Sequence, residues 1–483
     1  MTDEADCVQV DRVPSGLPGL DEILQGGFFA GGVYVVRGAP GTGKTILANQ
    51  ACYRHAARGG KALYVTLLAE SPVRMLGNLA RLRFFDPAAI PHRVYYVSAL
   101  RVLEEGGLSA LMDLIRGEVG RHAATLLVLD GLLSTEEAGA SDRILRGFMH
   151  ALQDHLGPVG CVTLLLGDSG RPDHGGEQNM ADGVIALDDT RRDGQTGRGL
   201  EIVKFRGSST LRGRHSMRIT DEGIVTYPRI EALHERPSQP DKGFDRRLSV
   251  GVPAVDAMLG GGLPAGTTTL VLGATGTGKT LLGAHFLAGS SAAEPGLHFG
   301  FYEQPERLLQ NAASVGLDLA GPARRGDLEV LWYPTTGQIL DDLGGQLLRA
   351  VGRRGVKRLL VDGLGGYVEA ADNPARAGKV LVALVHELRA QGVTTIYTAE
   401  TPNLVGAEVV VPVPGVSVVV DNMTLLRFAE YRARLHRLFS IVKVRGSAFD
   451  PGMREFRITN KGITLADTLP GPGYPERLLY REV

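Results

Sequence analysis

The chain has 483 residues, too many for one ordinary core; about 100–200 residues per domain predicts roughly two to four domains. Hydrophobic residues make up 43% and charged residues 22%, as in a soluble globular protein. Lys+Arg at 52 against Asp+Glu at 53 leave a net charge of −1, which excludes a global positive field for nucleic acid or an anionic membrane.

The first ten residues, MTDEADCVQV, are acidic and polar and lack the layout of a signal peptide; no later run supplies about 18 uninterrupted apolar residues. No membrane span is expected. Cys7, Cys52 and Cys161 are widely separated and form no CxxC, which argues against a disulfide framework or zinc knuckle and fits a reducing, cytoplasmic location.

From residue 15 the chain reads SGLPGLDEILQGGFFAGG, then the apolar run VYVVRG, then GAPGTGKT at 38–45 and the apolar-rich segment ILANQACY. A strand feeding a glycine loop that opens a helix presents backbone N–H groups and a helix N-terminus to phosphate oxygens. Gly38, Gly41 and Gly43 permit close approach, Lys44 suits the β- and γ-phosphates of ATP, and the Thr45 hydroxyl suits Mg²⁺. A fortuitous glycine turn is the plain alternative.

The next run, ALYVTLLAESP, carries Glu70, a carboxylate able to orient water, or otherwise a solvated acid at a helix start. TLLVLDG ends on Asp130, where a parallel strand delivers a carboxylate to a bound cation. After the helical pattern ILRGFMHALQDHL (144–156) come CVTLLLG, ADGVI (181–185), IVKFRGSS (202–209) and MRITDEGI (217–224). Alternating apolar runs and helical patterns predict a mostly parallel, doubly covered sheet, and the fold class is α/β.

ALHERPSQPDKGFDRR (232–247) is polar, holds two prolines and reads as a surface linker. The main elements that precede it then recur beyond the linker. VGVPAVDAMLGGGLPAG (250–266) leads to GATGTGKT (273–280), pairing Gly251 with Gly16 and Asp256 with Asp21. Gly273, Gly276, Gly278, Lys279 and Thr280 repeat the loop, Glu303 in GFYEQPE repeats the water-orienting position, and Asp362 in RLLVDG repeats the strand-end carboxylate. IVKVRGSA (441–448) and FRITNKGI (456–463) close the second copy. A repeat of this size is a duplicated domain rather than a solenoid unit. The expected boundaries are 10–235, a linker at 236–247, 248–465, and a Pro- and Gly-rich tail at 466–483.

These residues resemble the KaiC family, double-domain RecA-like P-loop ATPases whose namesake is a cyanobacterial clock protein. The resemblance spans roughly residues 10–465 and rests on the leader Gly16-Leu17-Pro18-Gly19-Leu20-Asp21, ADGVI, KxRG at 204–207 and 443–446, and the closing Gly-Ile. It implies two stacked rings of six subunits, a homo-oligomer with ATP at each junction. It also implies that Lys204, Arg206, Lys443 and Arg445 reach the neighbouring subunit's nucleotide. Trans-acting cations of this kind stabilise the transferring phosphoryl group.

Two departures matter. The family shows adjacent glutamates after the second strand of each domain, whereas this chain has single ones, Glu70 and Glu303. The clock protein phosphorylates a Ser-Thr pair in a segment similar to SVVVDNMTLLRF; aligned on Asp421, the pair falls on Ser417 and Val418, so only Ser417 keeps an acceptor hydroxyl. A serine within a buried or edge strand is the alternative for that position.

The expected function is a ring-forming signalling or timing ATPase with serine autokinase activity on Ser417, read by a regulatory protein that these residues do not identify. A RecA-type recombination motor would need basic and aromatic DNA loops, and 6% aromatics with one Trp make nucleic acid an unfavoured partner. A nucleotide-gated scaffold with little turnover is the third class.

Overall fold

The structure is a computed structural model and describes residues 11–68, 72–132, 142–168, 180–192, 195–240, 246–371, 373–403, 413, 415–431 and 434–466. Its contacts divide the chain into two compact units, residues 1–233 and 234–483.

In the first unit β1 (Arg12–Val13) pairs with β2 (Phe28–Phe29). A nine-stranded sheet follows: β3 (Val33–Gly38), β4 (Ala62–Thr66), β5 (Val94–Ser98), β6 (Leu126–Asp130), β7 (Val162–Gly167), β8 (Gly183–Arg192), β9 (Gln195–Phe205), β10 (Arg214–Thr220) and β11 (Gly223–Tyr227). Its order is β11-β10-β9-β8-β3-β7-β6-β4-β5. The strands from β8 to β5 run parallel, and β9, β10 and β11 extend the sheet as antiparallel hairpins.

The buried strands are near-continuous apolar runs because both faces are covered. Tyr34 and Val36 enter one core with Tyr64 and Leu164, whereas Val33 and Val35 enter the other with Leu63 and Leu165. That is the strand period of two. Helices α1 (Lys44–Ala57), α2 (Leu100–His122) and α3 (Asp142–Leu156) supply the cover.

The second unit repeats this plan. β12 (Arg247–Leu248) pairs with β13 (Leu263–Pro264), and nine strands follow: β14 (Thr268–Gly273), β15 (Gly296–Gly300), β16 (Leu328–Trp332), β17 (Arg358–Asp362), β18 (Thr394–Glu400), β19 (Asn422–Tyr431), β20 (Arg434–Val444), β21 (Arg454–Thr459) and β22 (Gly462–Leu465). The order β16-β15-β17-β18-β14-β19-β20-β21-β22 matches the first sheet strand for strand. Its helices include α4 (Lys279–Ala288), α5 (Pro305–Ser314), α6 (Leu340–Arg354) and α7 (Pro374–Ala390). The chain is therefore two tandem RecA-like α/β units.

Several recurring sequence elements have structural duties. Asp21 accepts the Ser15 amide at 2.7 Å and Asp256 the Val250 amide at 2.7 Å, closing the leader turn in each unit. Asp182 of ADGVI accepts the Val33 amide at 2.9 Å, and Asp421 accepts that of Thr268 at 3.0 Å, bracing the start of the central strand. The closing Gly-Ile turns dock on the loop helices: Gln50 Oε1 accepts the Ile224 amide at 2.7 Å, and His285 Nε2 the Ile463 amide at 3.0 Å.

Part of the expected linker is held rather than merely crossing the surface. The Ser238 amide and hydroxyl donate to the buried carboxylate of Glu387 in α7 at 2.8 and 2.6 Å. Residues 241–245, the tail from 467, and Glu70 lie outside the described residues.

Candidate nucleotide and cation sites

Each glycine loop leaves the C-terminal end of the central strand, β3 or β14, and enters α1 or α4 at its lysine. A Cβ on Gly38 would lie 2.7 Å from the Leu187 carbonyl, and one on Gly273 2.5 Å from that of Leu426, so the loop can pass its neighbour strand only without side chains there. Gly43 and Gly278 start the helices at φ 107° and 102°, a left-handed backbone that glycine adopts freely.

In the first unit Lys44 Nζ donates to the Gly38 carbonyl at 2.6 Å and to Asp168 Oδ1 at 2.8 Å. Thr45 Oγ1 stands 3.4 Å from Asp130 Oδ2, and the same oxygen accepts the Tyr64 hydroxyl at 2.6 Å. Burial pushes the Asp130 carboxyl above its ordinary range; the Tyr64 and Thr45 hydroxyls and Lys44 offset this only in part, and Asp168 adds to it.

The second unit builds the same place from different partners. Lys279 Nζ donates to the Ala274 carbonyl at 2.8 Å. Burial pulls its amine below the ordinary lysine range against the opposing pull of Glu400 and Asp362. Thr280 Oγ1 is 2.9 Å from Asp362 Oδ2, and Thr398 Oγ1 donates to Asp362 Oδ1 at 2.6 Å. Burial alone would raise the Asp362 carboxyl, but nearby His298 and the Thr398 and Thr280 hydroxyls outweigh it and hold the group below its usual range.

A cavity of about 650 Å³ opens beside this loop, lined among others by Lys279, Thr280, Tyr302, Glu303, Asp362 and Glu400. Glu303 is on its wall and accepts the Asn311 amide, with Arg307 Nε 4.0 Å away. A hydroxyl beside a buried carboxylate in each unit is a hard oxygen donor pair, the kind Mg²⁺ takes when phosphates and waters complete its shell. No cluster of three or more His, Cys, Asp and Glu side chains suited to a metal occurs among the described residues.

The KxRG residues lie elsewhere on each sheet. Lys204 is level with Val184 and Val35, and Lys443 with Met423 and Leu270, each three residues short of the loop glycine along the central strand. The Arg206 and Arg445 amides donate to the Asp182 and Asp421 carbonyls, farther still from the loop. Three residues are about 10 Å of strand, and two strand spacings add about 10 Å laterally. Burial lowers the Lys204 and Lys443 amines, helped by Arg206 and Arg445 and opposed by Asp182 and Asp421.

Ser417 is half-buried in a four-residue helix, α8 (Val416–Val419), and not in a strand. Lys443 Nζ donates to the Val420 and Ser417 carbonyls at 2.7 and 3.2 Å, and Arg445 Nη2 to that of Val418 at 2.8 Å, so the cations cap this helix end.

Asp168, Glu400, Tyr64, His298 and Thr398 were not singled out from the sequence. Asp168 and Glu400 do carry a signal, since each follows an apolar run; Glu400 pairs with the loop glycine Gly273, and Asp168 comes directly after Gly167, the partner of Arg37.

The sheet order, the strand-end loops and the adjoining carboxylates define a RecA-like P-loop NTPase, present twice. The family model described as "ATPase: KaiC" matches residues 13–231 and 248–469, and the chain belongs to the KaiC ATPase family. It is 28% identical to the "Circadian clock oscillator protein KaiC" of Rippkaea orientalis, over 95% of this chain and 89% of that protein. It is 27% identical to the protein of that name in Synechococcus elongatus, over 95% of this chain and 90% of the relative. To the "Circadian clock protein KaiC3" of Synechocystis sp. it is 28% identical, over 94% and 91%. No helix among the described residues is long and apolar enough to cross a membrane.

Proposed function

We propose that this protein hydrolyses ATP at sites shared between subunits of a ring, a hexamer, and that its nucleotide state is read by a regulatory protein in the cytoplasm. Lys44 and Lys279 hold the β- and γ-phosphates. Thr45 with Asp130, and Thr280 with Asp362, hold Mg²⁺, which supplies charge neutralisation on the phosphate oxygens. Glu70 and Glu303 orient a water and take its proton as its oxygen attacks the γ-phosphorus; the bond to the bridging oxygen breaks and its electrons leave with ADP.

The observation that supports shared sites is the location of KxRG at the end of the sheet away from the loop. A cation there is out of reach of its own unit's phosphates and is presented to another subunit. Arg206 and Arg445, with Lys204 and Lys443, then act on the neighbour's transferring phosphoryl group, and Ser417 is the acceptor for autokinase activity in the second ring.

The test is complementation. With Glu70→Gln in all chains to silence the first ring, Arg445→Ala and Glu303→Gln subunits are each inactive alone. Their mixture regains phosphate release, because some junctions pair an intact Glu303 with an intact Arg445. A mixture shown by mass to have exchanged subunits, yet as inactive as its parents, rejects shared sites.

One observation favours a scaffold of slow turnover: Glu303 is already engaged by Asn311. Phosphate release by the unmodified protein, measured against Glu70→Gln/Glu303→Gln, separates the two readings.

A further inference from the structure

Corresponding strands of the two sheets can be compared by register. Thr66 in β4 pairs with Asp130, and Gly300 in β15 pairs with Asp362. Two residues earlier, on the same face, the first unit has Tyr64 and the second has His298. Tyr64 reaches forward and gives its hydroxyl to Asp130. The shorter imidazole points at the same target, with His298 Nε2 3.8 Å from Asp362 Oδ2, close but too long for a hydrogen bond.

His298 is 1% exposed, and neither ring nitrogen has a hydrogen-bond partner among the described residues. A buried imidazole left so is costly, and an aliphatic side chain would fill the volume without that cost. The neighbourhood also accommodates this ring. A Cβ on Gly300 would fall 2.3 Å from His298 Cε1, whereas the first unit carries Thr66 at that position. Gly300 therefore makes room for the imidazole beneath the carboxylate.

We propose that His298 is the positioning residue for Asp362, taking toward the second unit's strand-end carboxylate the part that Tyr64 takes in the first. This rests on the reading of Asp362 as the carboxylate that holds the cation. In the Nε2–H tautomer a shift of about 1 Å brings the ring to hydrogen-bonding distance of Oδ2. That oxygen also faces Thr280 Oγ1 at 2.9 Å, so an imidazole N–H keeps it oriented whether or not the threonine hydroxyl is donating to it. Partners of this kind behind a ligating carboxylate commonly change metal affinity 10- to 100-fold.

The experiment uses the full chain carrying Lys44→Ala, with ADP, and Mn²⁺ as the probe, free Mn²⁺ being read by its paramagnetic resonance signal. His298→Leu is expected to weaken Mn²⁺ binding about 10- to 100-fold while leaving Mn²⁺-free ADP binding unchanged. His298→Gln, which restores an N–H donor, should recover most of the loss. In histidine-labelled protein the ¹⁵N resonances missing from His298→Leu should report the Nε2–H tautomer. Unchanged Mn²⁺ affinity in His298→Leu, when Asp362→Asn is weakened, overturns the positioning role alone. So does an Nδ1–H tautomer, or an equal loss of ADP binding without metal. If Asp362→Asn also leaves Mn²⁺ affinity intact, the cation-holding role of Asp362 falls and the His298 proposal falls with it.

Discussion

Lys44 Nζ lies 2.8 Å from Asp168 Oδ1, so the loop lysine of the first unit is tied to a carboxylate at the end of the adjacent parallel strand. Glu400 occupies the matching register position in the second unit, opposite Gly273, yet there Lys279 donates to the Ala274 carbonyl. The first site thus presents its lysine already paired with a negative charge that phosphate must displace or tolerate.

Replacing Asp168 with Asn should therefore tighten ADP and ATP binding at the first site. The Asp168 side chain is 41% exposed, and such pairs are worth about 1 kcal/mol or less, so the gain is up to about fivefold and shrinks as salt rises. Titration calorimetry in a Lys279→Ala background reads the first site by itself. Weaker binding in Asp168→Asn would show instead that this carboxylate assists the ligand.

The two sites should differ in their response to acid. Asp130 is held above the ordinary carboxylate range and Asp362 below it. A carboxyl with a raised pKa takes up its proton first as pH falls, and a protonated carboxyl no longer attracts a cation. Mn²⁺ affinity of the first site, isolated by Lys279→Ala, should fall at a higher pH than that of the second, isolated by Lys44→Ala. Titrations between about pH 7 and pH 4 check this; coincident curves, or earlier loss at the second site, contradict it.

Glu387 should clamp the segment that enters the second unit. Burial pushes its carboxyl up, but the Ser238 hydroxyl and amide, Gln391 and His234 outweigh this and lower its pKa. A folded value below the unfolded one means that the stabilisation is complete above the ordinary glutamate range and is lost as pH falls through the lowered value. In Glu387→Gln the Ser238 amide should exchange with solvent about tenfold faster, as expected for a lost charge-assisted bond. The Tm difference between wild type and Glu387→Gln should close in acid. A constant difference across that range would assign the effect to packing.

Gly19 in the leader has φ 79°, and a Cβ there would fall 2.1 Å from the Thr226 carbonyl. The neighbouring Pro18 carbonyl accepts both the amide and the hydroxyl of Thr226, at 3.0 and 2.8 Å, so the leader is pinned to β11 and cannot withdraw. Gly19→Ala should cost about 2 kcal/mol or more, from left-handed strain of about 1–2 kcal/mol plus the backbone clash. Thermal unfolding of the first unit measures it. The matching residue of the second unit is Ala254, inside the helix Pro253–Met258, and Ala254→Gly there should cost only about 1 kcal/mol.

The α/β class, the duplication, the two loops and the strand-end aspartates are legible in the residues because each is a local, contiguous pattern. An apolar run, a glycine loop and a lysine at a helix start specify strand, turn and helix within about a dozen positions. The hydrogen-bond distance between Thr280 and Asp362 then joins two such patterns carried by β14 and β17, which have β18 between them in one parallel sheet. Other features depend on which strand lies beside which. Asp168 and Glu400 approach the loop lysines because β7 and β18 flank the central strands, and Tyr64 and His298 meet the aspartates because β4 and β15 pair with β6 and β17. Nothing in YVTLL or HFGFY announces that its third-dimension neighbour is a carboxylate. The same holds for KxRG, whose distance from its own loop is a matter of register, and for Ser238, whose partner is 149 positions along the chain. Local propensity and apolar period are written in consecutive residues, whereas side chains from separate strands converge only after the sheet order and its register have formed.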